Sequence, residues 1–414
     1  MIIDFPINKK VFSGCLIILA AIVFCFNFEK LRIASNNFKF DNVEQSAEDF
    51  YAQYQAAKNY KVFYRPYPPT ISLFYLPFTK ISYLTAVKYF QLLNLFFIIT
   101  LIGCTAYLLD IKTKTELIYL ICFSVLFQPL FLSYFFGQIN ILIALLITIC
   151  IMLEISNISA HKKDLLIAII LSCGAHLKIF PAFLILLYFV FKRWRLISYF
   201  ILSNIIILLI GIYFFSTEIM AYYFKTVIPA TSKAWVITTV NNQSLLGLFT
   251  RLFSFSLEFG KSSIIYAPWL VKPIYYISVI FILSIFYKKL KKYNIFLSGD
   301  NNNNNNTKQN CLNIFTFSII TAILIFGLNW THTFNFIYFA VMFLIFKIIR
   351  TQYKSKIEII LIVSGFILLN FNIDFSKFQI NALKHFITLP NYYGAFLLFI
   401  CYIFFNNDNY QKQV

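Results

Sequence analysis

Charge is what this chain has least of. Only 12% of its 414 residues are Asp, Glu, Lys or Arg, where a soluble domain carries about 25%. That scarcity excludes an ordinary soluble globule. Histidine is rarer still, with four copies, and no cluster of His, Asp and Glu has the spacing of a metal site. The eight cysteines all sit in or beside apolar runs. None has metal-ligand spacing and no even set shares one outer loop, so they read as small buried hydrophobes. No small-x-small cleavage site follows Lys9-Lys10 and the first apolar run, so an uncleaved first helix is expected. Ser13-Gly14-Cys15 is not read as a lipoprotein processing site, because the apolar core follows that cysteine instead of preceding it.

What the chain has instead is apolar surface: 60% of its residues are hydrophobic. Runs near the ~20 residues that a helix needs to cross a bilayer recur from end to end. The fold class expected is an all-α polytopic membrane protein, a single integral domain over 1–414 with about twelve transmembrane helices. Hydropathy places them near 11–28, 84–109, 116–134, 138–156, 164–177, 179–191, 196–215, 263–286, 312–330, 333–349, 356–371 and 391–405. The net charge of +19 would suggest nucleic acid in a soluble protein. Here the cations fall in alternate short loops, such as Lys162-Lys163, Lys192-Arg193 and Lys288-Lys289, which is the positive-inside pattern. No nucleic-acid partner is expected, and both termini read as cytoplasmic. The long loops 29–83 and 216–262 read as external, and the Asn-rich 298–310 as a disordered cytoplasmic loop.

The polar residues that remain gather on the outer side. Asp49 follows Glu48 at the start of a helix-compatible stretch in which Phe50, Tyr54 and Ala57 share a face. It suits either a solvated first turn favoured by the helix dipole or a reactive carboxylate. Arg65 and Tyr67 lie in the stiff Tyr64-Arg65-Pro66-Tyr67-Pro68-Pro69 segment; an interfacial aromatic belt reads as well as a binding role. Gln138 and Asn140 stand at an outer helix start, as caps or as ligands. Lys178 sits at the membrane edge, where an unpaired cation is costly, so it snorkels or meets an anion. Asn242, Gln243 and Arg251 suit sugar hydroxyls or a phosphate, or an ordinary capped helix over Ser244–Phe253. His332 occupies a tight outer turn after Trp330-Thr331.

In order, the chain therefore reads Asp49-Phe50-x-x-x-Tyr54-x-Ala56-Ala57, Tyr67-Pro68-Pro69, Gly137-Gln138-x-Asn140, Lys178-x-x-Pro181, Asn242-Gln243-Ser244 with Arg251, and Trp330-x-His332. This ordered set resembles glycosyltransferase family 87, the polyprenyl-phosphate-mannose-type membrane transferases of the GT-C superfamily. The resemblance runs from the first span to about residue 350. One departure is Lys58-Asn59 after the Ala-Ala step, where the family often has glycine.

The resemblance implies a GT-C-like helical bundle with interfacial helices in its outer loops. It implies a polyprenyl-phosphate sugar donor, a lipid or glycan acceptor, and Asp49 as general base. Lys178, Arg65 and Arg251 would bind the donor phosphate. Tyr54, Tyr67, Gln138, Asn140, Asn242, Gln243 and His332 would contact sugar or acceptor. No cofactor or metal is implied. The site would face outward from the inner (plasma) membrane, and mannose is the expected hexose. With one carboxylate in view and no second, transfer should invert the anomeric carbon. Two other functions fit the composition. A polysaccharide polymerase or ligase using lipid-linked glycans would share the outer chemistry. A polytopic transporter or flippase would need polar residues in mid-span, and these spans mostly lack them.

Overall fold

The computed structural model describes residues 14–25, 47–59, 67–231, 237, 239, 242–254, 265–297, 304–350, 355–370 and 389–405. Among these the chain is all-helical. Arg65 and residues 298–303 lie outside them; a helix begins at Asn304.

The helices run in order as α1 (Gly14–Cys25), α2 (Glu48–Asn59), α3 (Ile71–Tyr75), α4 (Tyr83–Leu108), α5 (Lys114–Leu126), α6 (Gln128–Phe135), α7 (Asn140–Ile155), α8 (Ala160–Leu177), α9 (Ile185–Val190) and α10 (Trp194–Phe215). They continue as α11 (Thr217–Tyr222), α12 (Ile228–Thr231), α13 (Leu245–Phe253), α14 (Pro268–Leu297), α15 (Asn304–Ile325), α16 (Tyr338–Ile349), α17 (Lys356–Leu369) and α18 (Pro390–Phe405).

Among the described residues five stretches are long and apolar enough to cross a bilayer: Tyr83–Leu108, Trp194–Phe215, Pro268–Lys291, Lys308–Ile325 and Thr331–Ile349. The pair α5 and α6 makes a sixth if taken as one bent span. Several other expected spans are shorter apolar helices, among them Asn140–Ile155 and Phe180–Val190. Sixteen residues rise only about 24 Å, less than the ~30 Å hydrocarbon core.

The run expected as one span over 116–134 is instead bent by 57° between α5 and α6. Pro129 explains it, because it has no N–H to continue the ladder and its ring crowds the preceding turn. The Gln128 N–H freed at the break donates to Asn370 Oδ1 at 2.7 Å. Non-helical backbone inside a bundle needs such a partner.

The centre is formed by Lys308–Ile325 and Thr331–Ile349, which are almost wholly buried, whereas α4, α10 and α14 turn most of their surface outward. The bundle has two chemically different ends. At one, Arg193 pairs with Glu154 and Asp164, Arg350 with Glu116 and Lys308 with Asp110. α7 runs from Asn140 to that end, and α8 returns from it to Lys178. Asp49, Gln138 and Lys178 therefore share the other end.

On the outward-facing helices exposed Tyr and Trp side chains stand near both ends: Tyr89 and Tyr107 on α4, Trp194 and Tyr213 on α10, and Trp269 and Tyr287 on α14, with Phe96, Tyr276 and Phe281 exposed between them. Each pair is eighteen or nineteen residues apart, about 27–29 Å of helix. That is close to the thickness of a hydrocarbon core, and such rings favour its two interfaces.

Candidate active site

The site is built where three chain segments meet α2. Phe50, Tyr54 and Ala57 form the buried face of α2, the spacing that the sequence shows. Phe50 packs on Phe90 at 4.6 Å, Tyr75 at 5.6 Å and Phe78 at 5.7 Å between ring centroids. The Tyr54 hydroxyl donates to the Ile81 carbonyl at 2.9 Å. Tyr54, expected to contact sugar, thus serves as a rivet between α2 and the start of α4. The fixed helix leaves Glu48 exposed and Asp49 half-buried in its first turn.

The second segment ends α6. Gly137 adopts φ +64°, the left-handed turn that closes a helix and that glycine tolerates best. Its N–H bonds Tyr134 O at 3.2 Å, and the Gln138 N–H bonds Ser133 O at 2.8 Å. These are the paired bonds of a Schellman motif. Gly137 is needed for a second reason: an added Cβ would lie 2.8 Å from Cβ of both Ala47 and Phe50. α2 therefore rests directly on this turn. Gln138, next in sequence, is buried and donates from Nε2 to Asp49 Oδ2, while its Oε1 accepts from the Tyr67 hydroxyl at 3.4 Å.

The third segment ends α8. Lys178 Nζ donates to Asn140 Oδ1 at 3.0 Å and lies over the rings of Tyr67 (5.6 Å) and Phe336 (5.5 Å). Burial pushes its amine down to about 8, and the charge of Asp49 pulls the other way. Burial first, then Tyr67 and Asp49, push the Tyr75 phenol well above its usual range. Asp49, Lys178, Tyr67, Gln138 and Asn140 are thus one electrostatic unit. The Tyr67-Pro68-Pro69 segment is tied to α8 by Thr70, whose Oγ1 lies 2.8 Å from His176 Nδ1.

His332 joins the unit through its backbone. Its carbonyl accepts from Asn140 Nδ2 at 3.2 Å and from Ser133 Oγ at 3.3 Å, and its ring sits near those of Phe136 and Trp330. Asn242, Gln243 and Arg251 form a neighbouring group. Arg251 is fully buried, and its Nη1 donates to the carbonyls of Thr239 (2.8 Å) and Asn242 (3.1 Å). Asn242 Oδ1 accepts from the Asn329 N–H at 3.1 Å, and the Gln243 N–H meets Asn329 O. Asn329 stands three residues before His332, so the 329–335 turn joins the two groups. Of the expected phosphate ligands, Lys178 is beside Asp49, while Arg251 holds a loop in place.

Sequence reading passed over Ser133, Phe336, Asn335, Thr70 and His176. None has a motif, and each becomes visible only through a partner far along the chain. Among the described residues no three His, Cys, Asp or Glu side chains converge as metal ligands would.

Fold and site together define a helical membrane protein with a carboxylate and a cation at one end of its bundle. The chain matches the sequence model of glycosyltransferase family 87 over residues 65–295, and it belongs to that family. The matched stretch contains Tyr67, Gln138, Asn140, Lys178, Asn242, Gln243 and Arg251; Asp49 precedes it and His332 follows it. No curated protein and no solved structure gives a match.

Proposed function

We propose that this glycosyltransferase moves a hexose, mannose in the first instance, from a polyprenyl-phosphate donor to a lipid or glycan acceptor, with Asp49 as general base. The observation that carries the proposal is the convergence of one carboxylate and one cation beside the membrane level. Tyr83 packs against Tyr51 and Tyr54 of α2 at 5.1 and 5.5 Å. It lies six residues, about 9 Å of helix, beyond the belt residue Tyr89. That is headgroup height, where the phosphate of a lipid-anchored donor must sit.

The chemistry needs little more. The acceptor oxygen forms a bond to the anomeric carbon from the face opposite the leaving phosphate, so the configuration inverts. The C1–O bond to phosphate breaks and its electron pair leaves with the phosphate, stabilised by Lys178. The acceptor proton passes to Asp49. Polyprenyl phosphate is a good leaving group, so no general acid is required. The ion-paired end, which holds Lys162, Lys163, Arg193 and Arg195, faces the cytoplasm by the positive-inside rule. The site then faces outward from the plasma membrane.

Membranes containing the protein should transfer label from polyprenyl-phosphate [14C]mannose to endogenous acceptors, and Asp49→Asn membranes should not. Transfer from nucleotide sugars alone, with every polyprenyl-phosphate sugar inert, would overturn the proposal.

A further inference from the structure

We infer that Gln138 is the positioning residue for the base: its amide NH2 holds Asp49 Oδ2 and so fixes the plane in which the carboxylate meets the acceptor proton. This rests on Asp49 acting as the base. A carboxylate in the first turn of a helix can rotate about two bonds, yet a general base works only when a lone pair points at the proton it removes. Gln138 removes that freedom. Its backbone is fixed by the bond from its N–H to Ser133 O, its side chain is buried, and its Nε2 donates to Asp49 Oδ2.

The amide itself has two possible orientations, and the carboxylate selects one while Tyr67 supports it. The ionised carboxylate only accepts, so the NH2 group must face the acid, and Oε1 then accepts from the Tyr67 hydroxyl at 3.4 Å. An NH2 donor favours the ionised carboxylate over the protonated one, which keeps the base in its working form. The assignment also separates Gln138 from a sugar contact. One N–H and the carbonyl oxygen are engaged within the protein, so the amide's orientation is set before any substrate hydroxyl arrives.

Among the described residues the titratable groups around Asp49 are Glu48 beside it on α2, Tyr67 in the proline segment, Tyr75 on α3 and Lys178 at the end of α8. Tyr83 of α4 lies against the far side of α2. Lys178 also favours the carboxylate, so its contribution must be held constant. Gln138→Met does this, since it keeps the length of the side chain and removes only its polar end.

The test uses the full-length protein in lipid nanodiscs. The carboxyl infrared band that disappears in Asp49→Asn is titrated with pH in wild type, Gln138→Met and Tyr67→Phe. A lost hydrogen bond to a charged group should raise the Asp49 titration by about one pH unit or more in Gln138→Met. Tyr67→Phe removes the bond to Oε1 and loosens the amide, and should give a smaller rise. With polyprenyl-phosphate [14C]mannose and endogenous acceptors, the acid limb of kcat should move by the same amount while the donor KM stays within about twofold. An unshifted titration in both variants overturns the inference, whatever the activity. A raised KM with an unmoved acid limb assigns Gln138 to substrate instead, and overturns it too. Full transfer by Asp49→Asn would overturn the base assignment beneath it, a result independent of the titration.

Discussion

At the scale of single residues, the site sets one carboxylate, Asp49, within electrostatic reach of one buried cation, Lys178. General-base assistance is worth about 10²–10⁴-fold. Asp49→Asn keeps the shape of the side chain and should lose transfer by about that factor while donor binding survives. Glu48 is exposed and points about 100° away around the helix, so Glu48→Gln should lose far less. Comparing kcat for the two variants decides which acid works; a dead Glu48→Gln with an active Asp49→Asn would reverse the assignment. Lys178 gives a second prediction. Its amine titrates near 8 in the protein without ligand, so it is charged below that pH and neutral above. Donor KM should therefore rise between pH 7 and pH 9. Lys178→Arg, which stays charged throughout, should flatten the rise. A KM independent of pH in wild type would exclude Lys178 from phosphate binding.

At the scale of elements, the fit of α2 onto the turn after α6 sets the geometry of the acid. Gly137→Ala adds a Cβ at 2.8 Å from two other Cβ atoms and forces alanine into a left-handed turn, itself a cost of about 1–2 kcal/mol. α2 must lift or the turn must unwind. The expected outcome is transfer reduced at least as far as in Gln138→Met, with a lowered melting temperature by scanning fluorimetry. Arg251 belongs to stability as well. Buried and bonded to two loop carbonyls, its loss in Arg251→Ala should cost about 2–4 kcal/mol and lower the melting temperature more than Gln243→Ala does.

Some of these elements were legible in the sequence. Phe50, Tyr54 and Ala57 announced the buried face of α2 by their spacing. Ser244 announced the start of α13, where its Oγ accepts from the Gly247 N–H at 3.0 Å. Other features were not legible. The bend at Phe127 was hidden because hydropathy sums over Pro129 without registering its missing N–H. Gln138 meets Asp49 across 89 residues, and no local pattern encodes a contact of that range. Tyr54 looked like a ligand because a motif shows that a residue is kept in place without showing whether it faces the substrate or the core.

At the scale of the whole molecule, a lipid-linked donor makes orientation a chemical requirement. Polyprenyl phosphate cannot leave its leaflet without a separate transport step, so a site at the wrong end of the bundle would never meet it. Two independent features set the orientation proposed here. The Tyr and Trp pairs near the helix ends fit a slab about as thick as a hydrocarbon core, which in this proposal leaves Asp49 just beyond one face. The charges give it a direction, because Lys162, Lys163, Arg193 and Arg195 cluster at the opposite end, where Arg193 is fixed between Glu154 and Asp164. Glu48 and Lys162 are both exposed and stand at opposite ends of the α7–α8 pair. Cysteines placed singly at these positions, in a background lacking the eight native ones, report the orientation directly. An impermeant maleimide added to intact cells should label Glu48→Cys, and should label Lys162→Cys only after permeabilisation. The reverse pattern would put Asp49 on the cytoplasmic face. The enzyme would then draw on donor in the cytoplasmic leaflet, and the outward-facing acceptor would have to be abandoned even if Asp49 remained the base.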